Sequence, residues 1–212
     1  SYLGFAHLPM QDPAAAAAEF LRCVRELGFS GAFIHGAGSY YLDDPVFDRL
    51  WQHAEALGAP IYIECGEPNI PAPVLDNYRE LQGSSWAGAF EIGSHVLRLI
   101  YGGVFDRHPN ARIIVGRLGA ALPYFLSAFD AQAKREGGRL NRAPSDYLRD
   151  NVCVTTAGLN AIALLYCAIA TLGPAQLMFG ASYPFASVKQ AGQFLDTVRL
   201  DENLRADIAY RN

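Results

Sequence analysis

Apolar and polar positions along the chain follow two rhythms. Short unbroken apolar runs occur at 2–9 (YLGFAHLP), 31–36 (GAFIHG), 60–66 (PIYIECG), 112–119 (RIIVGRLG), 152–158 (VCVTTAG) and 176–183 (QLMFGASY). Between them, apolar residues recur every three or four positions, the period of a helix with one buried face. Phe20, Cys23, Val24 and Leu27 form one such stripe; Phe47, Leu50, Trp51 and Ala54 form the next. Asp12-Pro13 and Asp44-Pro45 stand just before these stripes, each an N-cap followed by a proline at the first helical position. Gly28 and Gly58 stand just after them as stops. Further helices are predicted over about 87–101, 123–135, 160–172 and 188–197, with a short one opening at Ser145-Asp146 and a last one over 202–210.

Continuous rather than alternating apolar strands, each followed by a helix, predict a parallel sheet with helices outside it. The fold class is therefore α/β, a TIM-barrel-like (β/α) parallel sheet with about six βα units, in one domain over 1–212. The Pro-rich stretch 67–85 (EPNIPAPVLDNYRELQGSS) is too long for an ordinary connection and is expected to act as a lid.

Composition narrows the function. Of 212 residues, 51% are hydrophobic and 18% charged, and the formal net charge is −4 with no basic stripe. Nucleic acid is thus not an expected partner. No apolar run reaches the ~18 residues of a membrane span, so no membrane is expected either. No secretory leader is read at the N-terminus, and Cys23, Cys65, Cys153 and Cys167 are scattered without metal-type spacing. A cytoplasmic protein with reduced thiols is expected.

In parallel α/β folds ligands bind beyond the C-terminal ends of the strands. The residues there are His7, His35, Glu64, Arg117, Thr155 with Thr156, and Ser182 with Tyr183. Arg117 offers a planar, always-charged fork for a carboxylate or phosphate. Glu64 and His35 can move a proton. Arg117 and Glu64 could equally be a structural ion pair, and a lone strand-end histidine is often structural. Trp86, Tyr124 and Phe185 are candidate aromatic walls. His95 is expected to serve packing or an interface, and His53 and His108 to lie at the surface. No nucleophile elbow surrounds Ser182, and the glycines of 36–39 do not match a dinucleotide fingerprint.

The stretches LGFAHLPMQDPAAAAAEFLRCVRELGFSGAF, LDDPVFDRLWQHAEALGAPIYIE, FEIGSHVLRLIYGGVFDRHPNARIIVGRLGAALPY, NVCVTTAG and MFGASYPF together resemble the amidohydrolase-related decarboxylases. That group includes the aminocarboxymuconate-semialdehyde and γ-resorcylate decarboxylases. The resemblance implies a (β/α)₈ barrel, one divalent metal, usually zinc, and decarboxylation of an aromatic or dienyl acid. It also implies a dimer. The family's metal-binding histidine falls at Glu64, the histidine of its Gly-His-Met-Gly-Glu motif at Arg117, the glutamate of that motif at Ala120, and its metal-binding aspartate at Ser182. The family's N-terminal acid-x-His pair has no counterpart here. These replacements lead to the expectation of no metal and no other cofactor. A homodimer or a partner chain is expected to complete the barrel.

Three readings follow. The first is a metal-independent lyase, cyclase or isomerase acting on a small aromatic or polyketide-like carboxylic acid. In it Glu64, Arg117 and His35 are catalytic, and His7, Thr155, Ser182, Tyr183, Trp86 and Phe185 bind substrate. The second is a catalytically inactive homologue serving as a binding or scaffold partner. The third is a metal-dependent decarboxylase or hydrolase with an altered ligand set built on Glu64.

Overall fold

The computed structural model describes residues 3–35, 40–64, 73–83 and 85–212. Residues 36–39, Cys65 with Gly66, and parts of the expected lid (67–72 and 84) lie outside the described residues. The chain divides into two compact units, residues 1–113 with 138–142, and residues 114–137 with 143–212.

In the first unit, strand β1 (Phe5–His7) leads into helix α1 (Pro13–Arg25). The Asp12 carboxylate accepts from the backbone N–H groups of Ala14 and Ala15 at 3.1 and 3.0 Å, the cap that the sequence predicts. Strand β2 (Gly31–His35) follows. Asp44-Pro45 opens a 3₁₀ turn, Pro45–Phe47, before α2 (Asp48–Leu57), which Gly58 closes at φ 59°. Strand β3 (Ile61–Glu64), the short α3 (Arg79–Gln82), α4 (Ala87–Tyr101) and α5 (Val104–Arg107) complete it.

Strands β1, β2 and β3 pair in parallel, with His7 beside Phe33, Phe33 beside Tyr62, and His35 beside Glu64. Side chains alternate along a strand, so this register sorts them by face. Phe5, His7, Phe33, His35, Tyr62 and Glu64 share one face. Ala6, Ala32, Ile34, Ile61 and Ile63 occupy the other and are buried. On the first face Phe33 stacks on Tyr62 with ring centroids 5.2 Å apart. A Cβ on Gly31 would lie 2.8 Å from the Phe5 ring and 2.3 Å from the Pro60 carbonyl oxygen, so only glycine allows that crossing.

Two histidines pack the helical layer of this unit. His95 on α4 is buried, and its Nε2 accepts from the Leu42 N–H at 3.0 Å. Trp51 Nε1 donates to the Leu42 carbonyl at 2.8 Å, so the loop before α2 is held from both sides. His108 corrects the sequence reading. It is buried rather than at the surface, because its Nε2 meets Asp48 at 2.9 Å and its Nδ1 lies 3.5 Å from Glu55. His53 is half-buried, with its Nε2 enclosed and unpartnered among the described residues.

Strand β4 (Ile113–Val115) carries the boundary between the units. The second unit continues with α6 (Leu122–Arg135), α7 (Pro144–Asn151), β5 (Val152–Thr155), α8 (Ile162–Leu172), β6 (Leu177–Met178), α9 (Val188–Thr197) and α10 (Glu202–Ala206). Strands β5 and β6 are parallel, with Val154 beside Leu177 and Thr155 beside Met178. Helix α6 packs on α7 and α8. After β6, Phe179 N–H donates to the Ile208 carbonyl, and the Asn212 side chain donates to the Leu177 carbonyl, at 2.7 Å each.

Strand β4 is shorter than the apolar run 112–119 suggests. The reason is conformational: residues 117–121 (Arg117, Leu118, Gly119, Ala120 and Ala121) all have positive φ, from 49° to 78°. A left-handed turn cannot continue a strand. It ends where α6 begins, with Tyr124 N–H donating to the Ala121 carbonyl at 3.0 Å.

Candidate functional site

In the second unit, the left-handed turn sets the position of Arg117. Its backbone N–H donates to the Ala157 carbonyl at 2.9 Å, and its own carbonyl accepts from the Ala120 N–H at 2.9 Å. The backbone is thereby tied to the loop that leaves β5. The next residue in that loop, Gly158, has φ 75°. A Cβ built on it would stand 3.6 Å from both Cζ and Nη1 of Arg117, and 3.4 Å from the Ser182 hydroxyl. Ser182 itself has φ 51°. Three separate segments thus bring a guanidinium, a hydroxyl and a side-chain-free wall together, each through left-handed backbone. The Arg117 Nε is buried and has no hydrogen-bond partner among the described residues. A buried donor on a cation without an acceptor costs about 1–3 kcal/mol, a cost characteristic of sites kept for something other than stability.

The support beneath this cluster is well bonded. The Thr156 hydroxyl donates to the Gly180 carbonyl and accepts from the Gly180 N–H, both at 3.0 Å. This clasp joins the two strand-end loops. The buried Thr155 hydroxyl accepts from the Ala157 N–H at 3.2 Å, a fold-holding bond at a residue that the sequence assigns to substrate. Gly180 must be glycine, since a Cβ there would lie 2.9 Å from that of Ala157.

In the first unit, the register sets His35 beside Glu64 on one face at the C-terminal ends of β2 and β3. Two of the three residues assigned to catalysis are therefore neighbours. His7, on the same face, lines an open concavity of about 710 Å³ with Leu8, Gln11, Glu19 and Arg22. Trp86 precedes α4 and is 61% exposed. Tyr183 and Phe185, in the second unit, are 78% and 96% exposed. Sequence reasoning missed Gly158, and it placed Thr156 at the strand end without its clasp to Gly180. The signal for the first was available: a glycine closing VCVTTAG, just past a predicted strand end.

Parallel βα units with polar groups at the strand ends are the repeating unit of (β/α)-barrel folds. The family described as Amidohydrolase matches residues 1–212, and the chain belongs to it. The γ-resorcylate decarboxylase of Rhodococcus jostii is 34% identical over 226 residues, covering 100% of this chain and 69% of the relative. The structure of 2,6-dihydroxybenzoate decarboxylase from Rhizobium superposes with a TM-score of 0.91 at 33% identity, covering 97% of this chain and 68% of that one. A dihydroxybenzoic acid decarboxylase from Polaromonas, solved with bound manganese and 2-nitroresorcinol, gives 0.90 at 32% identity, covering 97% and 66%.

The cluster around Arg117 does not fit such a metal. Divalent cations of this kind take carboxylate and imidazole donors. Here the converging groups are a guanidinium, a hydroxyl and backbone, and the fixed positive charge opposes a second cation. Among the described residues no group of three or more His, Cys, Asp or Glu is placed to hold a metal ion. Nor is any helix among them long and apolar enough to cross a membrane.

Proposed function

We propose that this protein is a metal-independent lyase that removes CO2 from a small hydroxylated aromatic carboxylic acid. Arg117 binds the anion. One observation carries the reading: a guanidinium, with its Nε buried and without a hydrogen-bond partner among the described residues, stands at a strand end where the sequence resemblance places a metal-site histidine. The names of the relatives, decarboxylases of resorcylate and dihydroxybenzoate, supply the substrate class.

The reaction balances without an oxidant or an organic cofactor. A proton is delivered to the ring carbon that bears the carboxylate. The bond to the carboxyl carbon then breaks, its electron pair returns to the ring, and neutral CO2 leaves. A ring hydroxyl stabilises the protonated ring. The chain must supply an acid and a fixed charge that orients the anion.

The test is CO2 release from 2,6-dihydroxybenzoate and 5-carboxyvanillate by protein stripped with a chelator. Turnover is expected in the stripped protein, and Arg117→Ala is expected to lower it about 100-fold with an unchanged circular dichroism spectrum. Turnover that appears only on adding manganese overturns metal independence. Absence of both turnover and binding overturns the enzyme reading in favour of an inactive homologue. The proposal includes association as a homodimer or with a partner chain. Light scattering reads the first, and a monomer overturns it.

A further inference from the structure

We infer that Gly158 and Ser182 complete a carboxylate subsite with Arg117, in which Gly158 keeps the guanidinium open and the Ser182 hydroxyl supplies a second donor. The inference rests on the proposed function for its substrate class; it adds Gly158 and gives Ser182 a defined role.

The geometry is specific. A single position, that of a Cβ on Gly158, lies 3.4 Å from Ser182 Oγ and 3.6 Å from both Cζ and Nη1 of Arg117. A methyl group there would be in van der Waals contact with both donors and would occupy the space beside them. With glycine, a planar carboxylate can lie against the backbone wall and meet Nη1 and the hydroxyl together. Charge-assisted hydrogen bonds of this kind are about twice as strong as neutral ones. The backbone at Gly158, with φ 75°, independently favours glycine.

That conformational preference is a competing explanation, and a control removes it. Gly137 has nearly the same φ, 73°, and a Cβ added to it would meet nothing within 4 Å. Gly137→Ala therefore imposes similar backbone strain without filling the subsite.

The experiment measures binding of 4-fluorobenzoate to the chelator-stripped chain by fluorine NMR, with 4-fluorobenzamide as its uncharged counterpart. Benzoate has no ring hydroxyl to assist CO2 loss, so binding is read apart from turnover. The wild-type chain is expected to bind the acid and not the amide. Gly158→Ala and Ser182→Ala are each expected to weaken binding about tenfold or more, and Gly137→Ala to leave it unchanged. Ser182→Ala keeps the test decisive should Gly158→Ala fail to fold. If both variants bind like the wild type while Arg117→Ala does not, the subsite falls and the proposed function stands. If the wild-type chain binds no benzoate, the subsite falls, and CO2 release from 2,6-dihydroxybenzoate decides the proposed function separately.

Discussion

His95 shows how one buried side chain couples the fold to pH. Burial pushes its pKa down to about 4 from 6.5, because the charged imidazolium loses its hydration there, with the nearby Arg98 charge adding to the shift and Asp43 opposing it. The unfolded chain binds a proton on this residue at a higher pH than the folded chain does. Stability therefore falls as pH drops from about 6.5 toward 4, by about 3 kcal/mol in all. Asp48 acts in the same direction: its hydrogen bond with His108 lowers its pKa, so its contribution is also lost as pH falls. Glu91 acts in the opposite one. Burial raises its pKa above 4.5, so its effect is a loss of stability as pH rises through that range. Urea titrations at several pH values should show a steep acid limb, and His95→Gln should flatten it; an unchanged limb would remove His95 as its cause. Reading His95 as a packing residue was possible from its helix, whereas His108 was misread because its partners Asp48 and Glu55 are distant in sequence.

Among the elements, helices were the most legible and strand ends the least. Asp12 illustrates the first case, since its side chain, the proline after it and the apolar stripe all agree. Asp12→Ala should lower stability by about 1 kcal/mol in a denaturant titration. The turn 117–121 illustrates the second. Its sequence, RLGAA, holds one glycine, yet all five residues are left-handed. Each non-glycine residue there costs about 1–2 kcal/mol. No local preference predicts it; the backbone bonds from Arg117 to Ala157 and from Ala120 to Arg117 impose it. A substitution to glycine, ordinarily harmful, should help here. Ala121→Gly, at an exposed position with φ 68°, is expected to raise stability by up to about 1 kcal/mol. A fall in stability would mean that the turn is not under strain at that point.

At the scale of the whole chain, the fold class could be read before the site could. Apolar rhythm is a property of many residues, and an error at one of them changes little. The site depends on a few residues from separate segments. The replacements at Glu64, Arg117 and Ser182 could be read against the family pattern, but the approach of Gly158 to Arg117 and Ser182 comes only from three-dimensional packing. The proposed function makes one prediction at this scale. Added manganese should not raise the turnover of stripped protein, and metal analysis of the active protein should find less than one equivalent. A tightly held stoichiometric metal would contradict the reading.

The left-handed turn also bears on how such a scaffold can change its chemistry over generations. Main-chain bonds, rather than the guanidinium, determine where the Cα–Cβ bond of residue 117 points. Side chains can then be exchanged at that position while the loop is inherited intact. The ancestry of the fold and the chemistry of the site are thereby uncoupled, so a lineage can try a new charge at this address without first rebuilding the backbone that presents it.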